Sequence, residues 1–264
     1  MGNTLAIAKK ELRIYFTTAT SYVLLTAFAA ITAYFFVVLV GAYAAQTTQF
    51  MGMQAQQMLE RMNFNDQVIL PLFFNIYVFF LILLPMVTMR LIAEEKRTKT
   101  MQLLMTTPVR PIEIVLGKYI AASTLIFVML AITMVYPLIL QIYGASTGDA
   151  APIDWATVLC GYLGMFLLGA AVIAFGLFAS SVTDSQIVAV LVSFAVLILF
   201  WMIGWAGYGQ QGFVADLTAN LSLINHLESF TRGILKVSDL VYYVSVIALG
   251  LFLTHRAVEA ERWN

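Results

Sequence analysis

Six apolar runs, each free of charged residues through its middle, constrain this chain more than any other feature. They are Tyr22–Tyr43, Val68–Met89, Ile120–Tyr143, Trp155–Ala179, Ile187–Ala206 and Leu240–Leu253, the last needing residues 237–255 to reach spanning length. About 20 apolar residues of α-helix cross a hydrocarbon core about 30 Å thick, and there a helix satisfies its own backbone polar groups. The predicted fold class is therefore all-α, a polytopic membrane protein with spans at 22–43, 68–89, 120–143, 155–179, 187–206 and 237–255. Composition agrees: 61% of the residues are hydrophobic and 11% charged, against about 45–50% and about 25% in soluble domains. An ordinary soluble enzyme, a nucleic-acid binder and a disordered chain are excluded. The first run is longer than the 7–15 residues of a signal-peptide core, so it reads as a retained span. The single cysteine, Cys160, sits in an apolar run and reads as a small packing residue.

The charges sum to zero, but their placement is asymmetric. With six spans both termini share one side. That side holds Lys9, Lys10, Arg13, Arg90, Lys96, Arg97, Lys99, Arg110, Lys118, Arg256 and Arg262, eleven of the 14 basic residues, leaving Arg61, Arg232 and Lys236 opposite. The 14 acidic residues divide evenly, so the net charge is +4 on the terminal side and −4 on the other. Lys and Arg accumulate in cytoplasmic loops. Both termini are expected to be cytoplasmic.

No Asp, Glu, Lys or Arg lies deep in a span; Lys118 and Asp239 stand at span ends, where a side chain can snorkel to the interface. Ion-coupled carriers need ionisable groups within the membrane, so the energy for any transport is expected from another source. Gly161, Gly164, Gly169, Ala170, Ala171, Ala174 and Gly176 in the fourth run, with Ala121, Ala122 and Ser123 in the third, allow close helix approach. Pro85 and Pro137 are expected to bend the second and third spans. Residues 4–16 place Leu5, Ala8, Leu12 and Tyr15 or Phe16 on one helical face and Lys9, Lys10 and Arg13 on another. This predicts an amphipathic helix lying on anionic membrane lipid or touching a partner.

The segment 90–110, between the second and third spans, carries the densest inner charge: Arg90, Glu94, Glu95, Lys96, Arg97 and Lys99, then the apolar Leu103, Leu104 and Met105, then Pro108 and Pro111. It has no glycine before Pro108, so much of it can be helical. Glu95 and Lys99 are spaced as an i,i+4 pair, and Pro111 with Glu113 suits the first turn of the next helix. A short charged helix with an apolar knob, held between two spans, can transmit a push from a cytoplasmic protein.

Glu94-Glu95, the following basic residues, Thr98 and Thr100, Leu103-Leu104 and Pro108 together resemble the coupling region of ABC-2 type permeases. The likeness is nearest to the gliding-motility-type group. It is carried by Met89-Arg90, Glu94-Glu95-Lys96-Arg97, Thr100, Leu103-Leu104, Pro108-Val109 and 114–119, with further matches at 184–189, Glu228-Ser229-Phe230, Arg232-Gly233 and Asp239-Leu240. It implies a single ABC-2 (type V exporter-like) domain over 1–264 in the bacterial inner membrane. It implies ABC ATPase subunits as partners, a second copy or sister permease, and membrane lipids around the bundle. A periplasmic accessory protein is a further implied partner. The chain itself would be non-catalytic and bind no cofactor, with ATP and Mg in the partner ATPase. Arg90, Glu94, Glu95, Lys96, Arg97, Thr98, Thr100, Leu103 and Leu104 would couple to that ATPase, beside the helix carrying Lys9, Lys10 and Arg13. The outer segment 212–236 would correspond to external gate helices, with Phe213, Leu217, Leu221 and Leu223 facing lipid or each other. Consistently, no G-x-x-x-x-G-K-[ST] phosphate loop occurs, since Gly117-Lys118 is followed by Tyr119.

Other readings stand beside it. Gly144-Ala145-Ser146-Thr147-Gly148 matches G-x-S-x-G, which marks a hydrolase only on a strand-to-helix turn, with His226 the one histidine on its side. Met51, Met53, Met58 and Met62 are thioethers of the kind that hold Cu(I), though methionines at such spacing more often pack against lipid or a partner. A mechanical or scaffold subunit of an envelope or gliding complex would need the same coupling helix.

Overall fold

The computed structural model describes residues 2–53, 62–102, 109–144, 153–206, 212, 218 and 220–261. Among these the chain is helical, without a strand. Helix α1 (Gly2–Thr17) precedes the long α2 (Ala19–Gly52). A π-turn at Asn65–Ile69 opens α3 (Leu70–Thr88), which continues past Met89 into α4 (Arg90–Arg97). Next come α5 (Pro111–Thr133), α6 (Val135–Gly144), α7 (Trp155–Val182), α8 (Gln186–Ala206), α9 (Leu223–Thr231) and α10 (Val237–Glu261). Six helical stretches are long and apolar enough to cross a membrane: Ala19–Gly52, Asn65–Arg97, Pro111–Tyr143, Trp155–Val182, Gln186–Gly204 and Val237–Glu261.

Five of these stretches contain and extend the runs expected from sequence, while the fifth in chain order, Gln186–Gly204, overlaps Ile187–Ala206 and ends two residues before it. Hydropathy marks only the part that suits lipid, whereas the hydrogen-bonded helix continues through polar flanks until something breaks it. The first span thus reaches Gly52, the second takes in Arg90–Arg97, and the sixth runs to Glu261. Pro137, which cannot bond back to Thr133, coincides with the break at Met134 between α5 and α6. Pro85 lies inside α3 without ending it, and the interruption falls at Met89.

Helix α7 is the hub, with 72% of its most apolar window buried, against 17% and 22% for the first and sixth spans. Its small residues make this possible. A Cβ added to Gly161 would stand 2.4 Å from the Phe73 ring, one at Gly164 2.5 Å from Phe230, and one at Gly176 would collide with Thr88. From the sixth span Gly250 closes on Ala174 in the same way. In lipid, where apolar surfaces gain little from associating, such close backbone approach supplies the packing energy. Phe73, Ile76, Tyr77, Phe80 and Leu84 of α3 fill the space beside α7. Helix α2 is thinly covered and is held by Phe36 stacked on Tyr136 and by the Thr32 hydroxyl 2.9 Å from the Tyr136 hydroxyl.

Helix α1 is held by contacts within the chain. It packs on the start of α5, where Gly117 leaves room for Ile7 and the Thr4 carbonyl. Its buried residues are Ala8, Glu11 and Tyr15. The apolar stripe expected from sequence is therefore split: Ala8 and Tyr15 face the bundle, while Leu5, Ile14 and Phe16 are exposed together with Lys9, Lys10 and Arg13.

Candidate functional site

The end of the bundle that carries α1, α4 and Glu261 brings most of the residues singled out in 90–110 into one assembly. Helix α4 is not a free loop. Its apolar face, Leu91, Ile92 and Ala93, is buried, and its start is capped from another span. The first N–H groups of a helix lack partners within it. Here the Ser180 hydroxyl of α7 accepts from Ile92 N (3.1 Å) and Ala93 N (3.0 Å) and donates to the Met89 carbonyl (2.8 Å). One buried hydroxyl thus joins the fourth span to the point where the second span turns into α4.

The far end of α4 is fixed as firmly. Lys96 donates to the Ser181 carbonyl at 2.6 Å and pairs with Glu261 of α10 at 2.5 Å. Glu95 does not make the i,i+4 pair with Lys99. It turns inward to Lys118 (2.9 Å) and Lys10 (3.2 Å), while Lys99 sits at φ 58°, in the left-handed region, and ends the helix. Thr98 closes the last turn by donating to the Glu94 carbonyl at 2.8 Å and contacts Thr100 at 2.9 Å.

Lys118 departs most from the sequence expectation. It does not snorkel; it is 1% exposed, and its ammonium lies 2.9 Å from both Glu11 and Glu95. Lys10, on the surface, closes the network to Glu95 and to Glu11 at 3.5 Å. Two lysines and two glutamates therefore pin α1, α4 and α5 to one another. A buried ammonium costs several kcal/mol in lost hydration unless it is paired and hydrogen-bonded, and two carboxylates meet that need. Glu11 was legible only as a carboxylate sharing a helical face with Ala8 and Tyr15.

With Glu95 and Lys96 engaged inside the chain, the outward face of this region is Glu94, Arg97, Thr98, Lys99 and Thr100, all exposed. Arg90 is half-buried at the turn. Leu103 and Leu104 lie outside the described residues.

At the opposite end α9 starts at Ser222, whose hydroxyl accepts from Asn225 N. Tyr243 donates to the Leu223 carbonyl at 2.8 Å, and Leu223, Leu227 and Phe230 are buried. Leu223 therefore belongs to the core rather than facing lipid, because α9 lies across α7 and α10. Leu221 is exposed, and Phe213 and Leu217 lie outside the described residues. Asp239 is also buried rather than snorkelling: it meets His226 Nδ1 at 2.8 Å, and His226 Nε2 faces the Asn220 carbonyl at 3.1 Å. Both ring nitrogens of His226 are thus engaged within this end of the bundle. Ser146 and Met58 lie outside the described residues, and Met51 and Met53 are exposed.

A scan against family models matches residues 5–254 to the ABC-2 family transporter proteins. The chain belongs to this family. The match takes in all six spans up to Thr254 and both ends of the bundle described above. No curated protein matches the chain. As an ABC-2 family member with six spans it is a multi-pass membrane protein of the transporter permease class. In this family member the charged helix α4 is bolted to the third, fourth and sixth spans and to α1.

Proposed function

We propose that the chain is the permease subunit of an ATP-driven ABC-2 transporter, in which a separate ATPase polypeptide docks on the outward face of α4. The observation that carries the reading is the two-sided character of this helix. Glu94, Arg97, Thr98, Lys99 and Thr100 are exposed to a partner, while Ser180, Lys96–Glu261 and Glu95–Lys118 tie its other side to three spans. A push on the exposed face would move those spans together, because short, satisfied polar links do not stretch. The absence of a phosphate loop from the sequence supports placing hydrolysis, with ATP and Mg, in the partner.

The concentration of eleven of the 14 basic residues at this end supports a cytoplasmic location for it, in the bacterial inner membrane. The sequence likeness to gliding-motility-type permeases supports a place in that group, with a second copy or sister permease completing the transport path.

The test is a double charge reversal, Glu94→Arg with Arg97→Glu, which leaves the inward links of Glu95 and Lys96 intact. ATPase association should weaken about tenfold, or about 1.4 kcal/mol, and permease-dependent hydrolysis should fall, with insertion unchanged. Wild-type association and hydrolysis in this variant would remove α4 as the coupling element.

A further inference from the structure

Between α1 and α4, open beside the network of Lys118, lies a cleft of about 370 Å³. Its walls carry an unusual set of unmet polar atoms. The Tyr15 hydroxyl, on a side chain more than nine-tenths buried, has no partner, and neither have Arg90 Nε and Glu95 Oε2. Buried polar groups are nearly always hydrogen-bonded, so three unpartnered atoms, all carried by residues that line one cleft, indicate a space suited to something polar. Burial also raises the Tyr15 pKa well above its usual value, so the phenol keeps its proton and can donate.

The charges say what kind of ligand would fit. Lys10 and Lys118 are neutralised by Glu11 and Glu95. Arg90 and Glu94, both lining the cleft, have no ion pair among the described residues. They stand four residues apart on one helical face, about 5–6 Å between Cβ atoms. The cleft therefore offers an unpaired cation with a phenol donor on one side and an unpaired carboxylate with the free oxygen of Glu95 on the other. A phosphate would be met by Arg90 and Tyr15, and an ammonium joined to it by two carbons would be met by Glu94 and Glu95. The exposed Ile14 of α1, which lines the cleft, and the exposed Tyr22 and Val23 at the start of α2 provide apolar surface for acyl chains.

We propose that this cleft is a binding site for a zwitterion carrying a phosphate and a primary ammonium, supplied as the headgroup of phosphatidylethanolamine in the adjoining leaflet. The site fastens a lipid between α1 and α4.

The experiment uses the full-length chain, delipidated in detergent and titrated with phosphatidylethanolamine, phosphatidylcholine, phosphatidylglycerol and free phosphoethanolamine, with binding read by native mass spectrometry. Phosphatidylethanolamine should bind best, because phosphatidylcholine has no ammonium proton to donate and phosphatidylglycerol has no ammonium. Tyr15→Phe and Arg90→Gln should each weaken that binding about tenfold, the loss of one hydrogen bond to a charged group, while Lys236→Gln, exposed at the opposite end of the bundle, should leave it unchanged. Tyr15→Phe deletes a single oxygen, so a folding defect is separable by an unaltered elution profile and melting temperature. Equal binding of the three lipids overturns the proposal. Free phosphoethanolamine binding as tightly as the lipid overturns the lipid source. Unchanged lipid binding in both variants, accompanied by loss of ATPase association, assigns the cleft to the partner protein and likewise overturns it.

Discussion

Replacing Lys118 by Met keeps the length and apolar stem of the side chain and removes only the ammonium. Glu11 and Glu95 are then left facing each other with side chains 11% and 14% exposed. Removing one partner of a buried ion pair costs about 3–5 kcal/mol, because the remaining charge is neither solvated nor paired. Lys10 recovers a small part of this. Its side chain is 57% exposed, and exposed pairs are worth about 0.2–1 kcal/mol, so about 3 kcal/mol of destabilisation should remain. At about 2–4 °C per kcal/mol for a chain of this size, the melting temperature in detergent should drop by roughly 6–12 °C. Proteolysis of α1 should increase as the helix detaches from α5. Replacing all three charges, Lys118→Met with Glu11→Leu and Glu95→Met, should restore most of the loss, since an apolar cluster of similar volume replaces the ion network without its hydration cost. A drop of under about 1 kcal/mol for Lys118→Met, or a triple variant no better than the single one, would refute the argument that Lys118 is held by compensation rather than by reach to water.

Ser180→Ala leaves the N–H groups of Ile92 and Ala93 and the Met89 carbonyl without their partner; at about 1–3 kcal/mol for a stranded buried group, the melting temperature should fall and hydrogen exchange at Ile92 and Ala93 should accelerate. Gly161→Ala should cost about 1–3 kcal/mol by overpacking against Phe73, measurable by thermal unfolding, whereas Gly41→Ala, with nothing near its Cβ, should be neutral. Asp154 caps α7 by accepting from the Thr157 hydroxyl (2.6 Å) and Ala156 N (3.0 Å), bonds that hold its carboxyl below the ordinary range. Its contribution is complete above the unfolded carboxyl's pKa and lost as pH falls through the lower folded value. The melting-temperature gap between the chain and Asp154→Ala should therefore narrow with acidification, and a gap that widened would contradict this assignment.

What could be read from the sequence and what could not divide along physical lines. Long apolar stretches report membrane-crossing helices directly, whether they face lipid or the bundle, so the six spans were legible from 22–43 onward. Their ends were not, because Ala44–Gly52 and Arg90–Arg97 are polar enough to leave the hydrocarbon yet contain nothing that stops a helix. The glycines of the fourth span signalled close approach, but which ring each one admits, Phe73 at Gly161 or Phe230 at Gly164, depends on the fold. At the end that carries α4, charge density drew attention to 90–110. Local spacing then suggested Glu95 with Lys99, whereas the stronger partner was Lys118, 23 positions away and desolvated. Ser180 carried no signal, since a serine near a span end is ordinary until two stranded N–H groups are seen to meet it.

The central claim, that an ATPase bears on the exposed face of α4, is tested most directly by photo-crosslinking from a benzophenone residue at position 97 or 99 in intact membranes, with Ile234 at the opposite end as control. The account predicts adducts from Arg97 and Lys99 to a polypeptide whose peptides contain a G-x-x-x-x-G-K-[ST] phosphate loop, and none from Ile234. Adducts to that polypeptide from Ile234 alone, or their absence at both inner positions in an assembled and hydrolysing complex, would contradict it.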